Sequence, residues 1–182
     1  MQKSNVMNLD QQVRAFGGVP FSHGSLLPLL QAYKRPNDKI ARWLAEGQLV
    51  QLRRGLYVLG KDWRAAPASL PLLANALLGP SYVSLEFALS WHGLIPEGVR
   101  EVSSVTSRRG RLFETPLGRF SYLHVPLAWF AIGVRMEVGP DGLSFLMASP
   151  AKAICDKVAL TRRLQAVSGK SMRVFLFEDL RL

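Results

Sequence analysis

No segment restricts the possible folds of this sequence as much as Leu49–Leu59, LVQLRRGLYVL. Leu49-Val50-Gln51-Leu52 and Leu56-Tyr57-Val58-Leu59 flank Arg53-Arg54-Gly55, and the whole reads as a β-hairpin with a basic turn. A lone hairpin is marginal in water, so other elements must cover it. The preceding residues supply three candidates. Apolar residues recur at helical spacing around Val13 and Phe16, and Gly17-Gly18 stops that helix. Ser22 is an N-cap for a second helix holding Leu26, Leu27, Leu29 and Leu30, with Pro28 tolerated if the helix begins nearer Ser25. Asn37 is the expected cap of a third, whose Ile40, Trp43 and Leu44 share one face while Lys39 and Arg42 point the other way; Gly47 ends it. Helix, helix, helix, hairpin is the order of a winged helix.

The second half changes style. Lys61-Asp62-Trp63-Arg64-Ala65-Ala66 reads as a short linker, followed by a helix from Ser69 that stops at Gly79-Pro80 and another from Ser84 that stops near Gly93. Beyond Pro96 come five strand-like runs: 99–107, 111–115, 118–125, 134–138 and 143–148. Asp141-Gly142 signals a hairpin between the last two. Ser149-Pro150 then resembles the cap and first position of a helix through Ala153, Ile154, Val158 and Leu160, with a final strand or helix near Val174–Phe177. The expected fold class is α+β: a winged helix over residues 1–60, then a small mixed α+β domain over 61–182.

Charge narrows the partner class. The 182 residues include 23 basic and 13 acidic side chains, formally +10, so the surface field attracts polyanions such as nucleic acid. With 48% hydrophobic and 20% charged residues the chain can bury a globular core. Cys155 is the only cysteine, which forbids an intramolecular disulfide and a multi-cysteine zinc site and fits a reducing cytoplasm. The N-terminus lacks the apolar core of a signal peptide, and the apolar region from Leu70 to Pro96 is interrupted by Gly79-Pro80, Glu86 and His92. Neither export nor a membrane partner is expected.

Tyr82–Thr106, YVSLEFALSWHGLIPEGVREVSSVT, followed by Leu117-Gly118 and Ser149-Pro150-Ala151-Lys152-Ala153, resembles the signature of the AbiEi-type antitoxin family, transcriptional regulators of type IV toxin-antitoxin systems. The resemblance runs from about Val19 to Asp156. It implies a winged helix followed by an antitoxin domain, repression of the protein's own operon, and opposition to a nucleotidyltransferase-like toxin. Two positions depart from the pattern: Ala151 stands where the family usually has glutamate, and Phe87 where a small or polar residue is frequent.

Double-stranded DNA is then the expected ligand. Phosphates spaced along a duplex are met by several cations on rigid supports. Lys34, Arg35, Asn37, Lys39, Arg42, Arg53 and Arg54 are the candidate contacts, with Asn37 and Arg42 placed to read base edges. A second basic turn, Arg108-Arg109-Gly110-Arg111, could touch further phosphates or an acidic partner, and equally reads as a solvated hairpin tip. Two alternatives use the same basic surfaces: a protein-interaction module, or an RNA-binding protein stacking bases on Tyr57, Trp43 or Trp129.

Residues for chemistry are sparse. His23, His92 and His124 are scattered, outside any metal-ligand spacing, so neither metal nor cofactor is expected. Ser168-Gly169-Lys170-Ser171 contains G-K-S, but Leu164 occupies the position where a phosphate-binding loop needs glycine, and a flexible polar turn is expected. Cys155, beside Ile154 and near Val158, is expected to be buried and inert, and Lys152 with Asp156 to be a surface pair. No catalytic residue is assigned, and an enzyme is the least favoured class.

Overall fold

The computed structural model describes residues 8–161 and 168–181. The N-terminal seven residues, Leu164 of the G-K-S comparison and Leu182 lie outside the described residues. Among the described residues, eight α-helices and two β-sheets make a mixed α+β fold.

The first sheet has three strands in the order β1 (Phe21–Ser22), β3 (Leu56–Leu59), β2 (Leu49–Arg53), all antiparallel. Around it stand α1 (Leu9–Arg14), α2 (His23–Leu26) and α3 (Pro36–Ala45). Ser22 does cap α2, its Oγ accepting from the Ser25 amide at 3.1 Å. The second helix does not run on through Pro28. It tightens into a 3-10 turn over Leu27–Leu30 with Pro28 in its first turn, where a missing amide hydrogen costs nothing. The third helix begins two residues earlier than Asn37 as its cap would set it. Pro36 takes the first helical position, Arg35 is the uncapped N-cap, and Asn37 is free for another bond. Gly47, at φ +73°, reverses the chain after α3.

The LYVL run is buried at all four positions because β3 is covered on both faces. Tyr57 and Leu59 face Val13, Leu26, Leu30, Ile40, Trp43 and Leu49. Leu56 and Val58 point the opposite way, into the core of the second half, together with Leu52. Strand alternation thus makes the hairpin a wall shared by two cores. The expected linker is also structured: Lys61–Trp63 forms a 3-10 turn, Trp63 stacks edge-on against Trp43 at 6.1 Å, and Arg14 lies over its ring.

The second sheet has six strands in the order β6 (Arg111–Thr115), β7 (Gly118–His124), β5 (Val102–Thr106), β4 (Ser81–Val83), β9 (Ser144–Ala148), β8 (Val134–Val138). It is mixed: β4 pairs with β9 and β5 with β7 in parallel, and the remaining pairs are antiparallel. The helices packed with it are α4 (Leu70–Leu77), α5 (Leu85–Trp91), the short α6 (Leu127–Phe130) and α7 (Pro150–Leu160). Ser149 caps α7 and Pro150 opens it, as the sequence indicates. Residues 168–171 are not a flexible turn. Ser168 and Ser171 form a reciprocal capping box that starts α8 (Gly169–Val174), which continues into a π-turn over Phe175–Asp179.

Candidate nucleic-acid interface

The expected DNA contacts separate into two groups because neighbouring residues at the hairpin tip leave it in opposite directions. Arg54 faces α3. With His23, Asn37, Ile40, Ala41, Leu44, Gly55 and Tyr57 it lines a groove of about 570 Å³ between helix and hairpin. Arg53 turns to the second half, where its Nε donates to the Leu77 carbonyl at 3.1 Å.

Within the first group, His23 Nε2 donates to Asn37 Oδ1 at 2.9 Å, which fixes the amide across the mouth of the groove. His23 is thus a groove residue that sequence spacing did not single out; it lies 14 positions from its partner. Arg42 Nε bonds Glu46 Oε1 at 2.6 Å, and that bond, then the carboxylate's charge, pushes the guanidinium pKa up. Arg35 reaches Asp38 at 3.8 Å, with both side chains largely exposed. Lys39 does not project freely, its ammonium lying 5.0 Å from the Trp43 ring centroid and 6.0 Å from that of Tyr33. Lys34 is exposed at the loop before α3. Exposed ion pairs hold weakly in water, so Arg35 and Arg42 can exchange their carboxylates for phosphates.

The second group forms a basic cleft of about 450 Å³. Arg53 meets Arg108, Arg109 and Arg111 there, with Leu77, Leu78, Gly79 and Phe113 completing the wall. No carboxylate lines it. The Arg108-Arg109 turn is held by Arg108 N donating to Thr106 Oγ1 at 3.1 Å and His124 Nδ1 donating to the Arg108 carbonyl at 3.0 Å. Two basic turns 55 residues apart in sequence therefore converge from separate sheets, a juxtaposition visible only once β6 lies beside β2. Four guanidinium groups without a facing acid leave the cleft's charge to be balanced by solvent ions or an anionic ligand.

A third constellation is internal. Asp156 is buried, accepting from Tyr82 OH at 3.0 Å and Ser84 Oγ at 2.8 Å on one oxygen, and from Lys152 Nζ at 2.9 Å on the other. Lys152 also donates to the Trp129 carbonyl at 2.8 Å. The Lys152–Asp156 pair is not on the surface: its side chains are 10% and 4% exposed, since Ala153 and Asp156 are the inward face of α7. The same rotation turns Cys155 outward, so it is exposed, not buried as expected. Burial, then the Asp156 charge and hydrogen bond, push the Tyr82 hydroxyl far above its ordinary range. Leu85, with φ +58°, sits strained beside this node, held by Ser84 N bonding Ser103 O and Ser103 Oγ donating to Ser84 O. Lys157 pairs with Glu86 on the outer side. The runs YVSLE and SPAKAICDK thus meet through Tyr82, Ser84, Glu86, Lys152, Asp156 and Lys157.

No family model and no curated protein matches this chain.

The remaining histidine has a structural partner. His92 Nε2 donates to the Ala148 carbonyl at 2.9 Å, joining α5 to β9. Among the described residues no three His, Cys, Asp or Glu side chains converge to hold a metal ion, and no helix is long and apolar enough to cross a membrane. Of the aromatic residues considered for base stacking, Trp43 is 1% and Tyr57 6% exposed, whereas Trp129 is 53% exposed.

Proposed function

We propose that this protein is a cytoplasmic DNA-binding transcriptional repressor and antitoxin of a type IV toxin-antitoxin system, which autoregulates its operon and opposes a nucleotidyltransferase-like toxin. The N-terminal elements act as a winged helix, with α3 as the recognition helix and the β2–β3 hairpin as the wing. The observation carrying this reading is the groove where Asn37 on α3 and Arg54 on the hairpin face the same space, with Lys39 and Arg42 on the same helix and Arg35 at its N-cap. Rigid supports then hold base-reading and phosphate-binding groups at fixed separation.

Arg53, Arg108, Arg109 and Arg111 extend the phosphate contacts beyond the recognition helix. The resemblance to AbiEi-type antitoxins supports the antitoxin role of the second half. Its signature residues build the Asp156 node, so they support a shared fold more directly than a DNA-binding face. Repression needs only occupancy: nanomolar affinity, about −12 kcal/mol, excludes polymerase when protein is abundant.

One observation favours a second reading, a protein-interaction module: Leu127, Trp129 and Ile132 are 75%, 53% and 67% exposed on one short stretch. The RNA reading loses two of its three stacking residues to the core. Gel-shift titration of wild type and Asn37→Ala/Arg54→Ala against duplex, single-stranded RNA and candidate acidic proteins separates them. Duplex preference abolished by the double substitution supports the repressor, and retention of duplex preference contradicts it.

A further inference from the structure

We infer that the protein forms a two-fold symmetric dimer by antiparallel pairing of β8 with β8 of a second copy, with Met136 on the axis. The inference does not rest on DNA binding.

Strand β8 is an outer strand of the six-stranded sheet, paired only with β9. The other outer strand, β6, touches β2 and carries the basic turn, so β8 is the edge left open. Its open groups can be named. At its two ends Ser149 N donates to Gly133 O and Gly139 N to Leu143 O, both at 2.9 Å, so the odd-numbered residues direct their amides and carbonyls to β9. By strand alternation Val134, Met136 and Val138 direct theirs outward. Among the described residues these groups have no protein partner apart from Val134 N, in a long turn contact to Ala131 O.

Edge strands that remain solitary are usually blunted by charged side chains, lysine above all, by proline or by a bulge. The strand VRMEV has no lysine, proline or bulge; its two charges, Arg135 and Glu137, are of opposite sign, so an antiparallel copy of the same strand can meet both of them. Met136 is 70% and Val138 61% exposed, and Leu146, paired with Met136, is 42% exposed.

Charge complementarity selects the occupant. In an antiparallel two-fold centred on Met136, the methionine faces its own copy, Val134 faces Val138 of the second copy, and Arg135 faces Glu137 of the second copy, twice. Met136 and the Val134–Val138 positions become the hydrogen-bonded pairs, exchanging the outward groups just named. Arg135 and Glu137 fall at the non-hydrogen-bonded positions, where opposed side chains approach most closely. Neither forms an ion pair within its own chain among the described residues. A palindromic charge pattern of this kind fits a second copy of the same strand, with both charges satisfied at once.

Sedimentation equilibrium of the full chain, with circular dichroism to verify folding, tests this. The wild type is expected to pass from 20.2 kDa to twice that mass with concentration. Arg135→Glu and Glu137→Arg each bring like charges together twice and weaken dimerisation by about tenfold or more. The double variant restores the pairing, and mixing the two single variants gives a heterodimer tighter than either alone. A 20.2 kDa mass at every concentration overturns the inference. So does a dimer indifferent to both single substitutions, which assigns the contact to another surface.

Discussion

Replacing Asp156 by alanine removes the acceptor of three hydrogen bonds at once and strands a cation. Lys152, 10% exposed, keeps only the Trp129 carbonyl at 2.8 Å and the Tyr82 ring, whose centroid is 5.7 Å from Nζ. Tyr82 and Ser84 lose their buried acceptor. Breaking one side of a buried pair costs about 3–5 kcal/mol, against a total of about 5–15 kcal/mol for ordinary domains. At a urea slope of about 2 kcal/mol/M the midpoint falls by about 2 M. Urea denaturation followed by circular dichroism reads this directly, provided the slope is unchanged between variants. Tyr82→Phe, which removes one donor to a charged group, loses about 1.5–3 kcal/mol. Asp156→Leu combined with Lys152→Met leaves no orphaned charge and loses less than Asp156→Ala alone. A loss below about 1 kcal/mol for Asp156→Ala refutes the assignment of this node as a structural keystone.

High pH probes the same region. Burial raises the pKa of both Tyr82 and Tyr122, so the unfolded chain releases those protons first, near pH 10, and stability falls as pH rises from there toward the folded-state values. Each tyrosine contributes about 1.4 kcal/mol per pH unit in that window, and Tyr82→Phe removes its share of the slope in alkaline denaturation. Gly60→Ala would set a Cβ 1.8 Å from the Gly47 carbonyl oxygen, so a loss of at least 1–3 kcal/mol, about the cost of overpacking, is expected by thermal melting. For DNA binding, Arg53→Ala lowers affinity for all sequences alike and flattens the salt slope by about one unit; an unchanged slope excludes a phosphate contact there. The triple substitution Arg108→Ala, Arg109→Ala, Arg111→Ala flattens it further, by about 0.9 per phosphate released.

Features encoded over a few residues were readable from the sequence. Ser22, Gly47, Asp141-Gly142 and Ser149-Pro150 act through local backbone geometry, and each does what its type and position indicate. Where two local preferences competed, the outcome was less readable: Pro36 at the first helical position displaced Asn37 from the cap. On α7 apolar spacing alone puts Cys155 inside, whereas the hydrogen-bonded Asp156 takes the inward position. A charged residue that carries its own partners defeats hydropathy as a guide to burial.

The candidate site was legible as a set of cations, not as an arrangement. Nothing in the spacing of Arg53 and Arg54 tells that one joins α3 and the other a cleft with Arg108, Arg109 and Arg111, because strand alternation acts only after the hairpin is packed between two cores. The same holds for β4: three residues are too few to announce a strand, although they occupy a central position in the six-stranded sheet.

Fluorescence anisotropy of the full-length protein against the DNA upstream of its own gene, with a shuffled duplex as control and across a salt series, tests the proposed repressor most directly. A preference of about a thousandfold for the upstream DNA, lost on altering Arg42 and Arg54, is the predicted result. Equal and steeply salt-sensitive binding to both duplexes contradicts it, leaving the positive charge generic and moving the protein-interaction reading ahead.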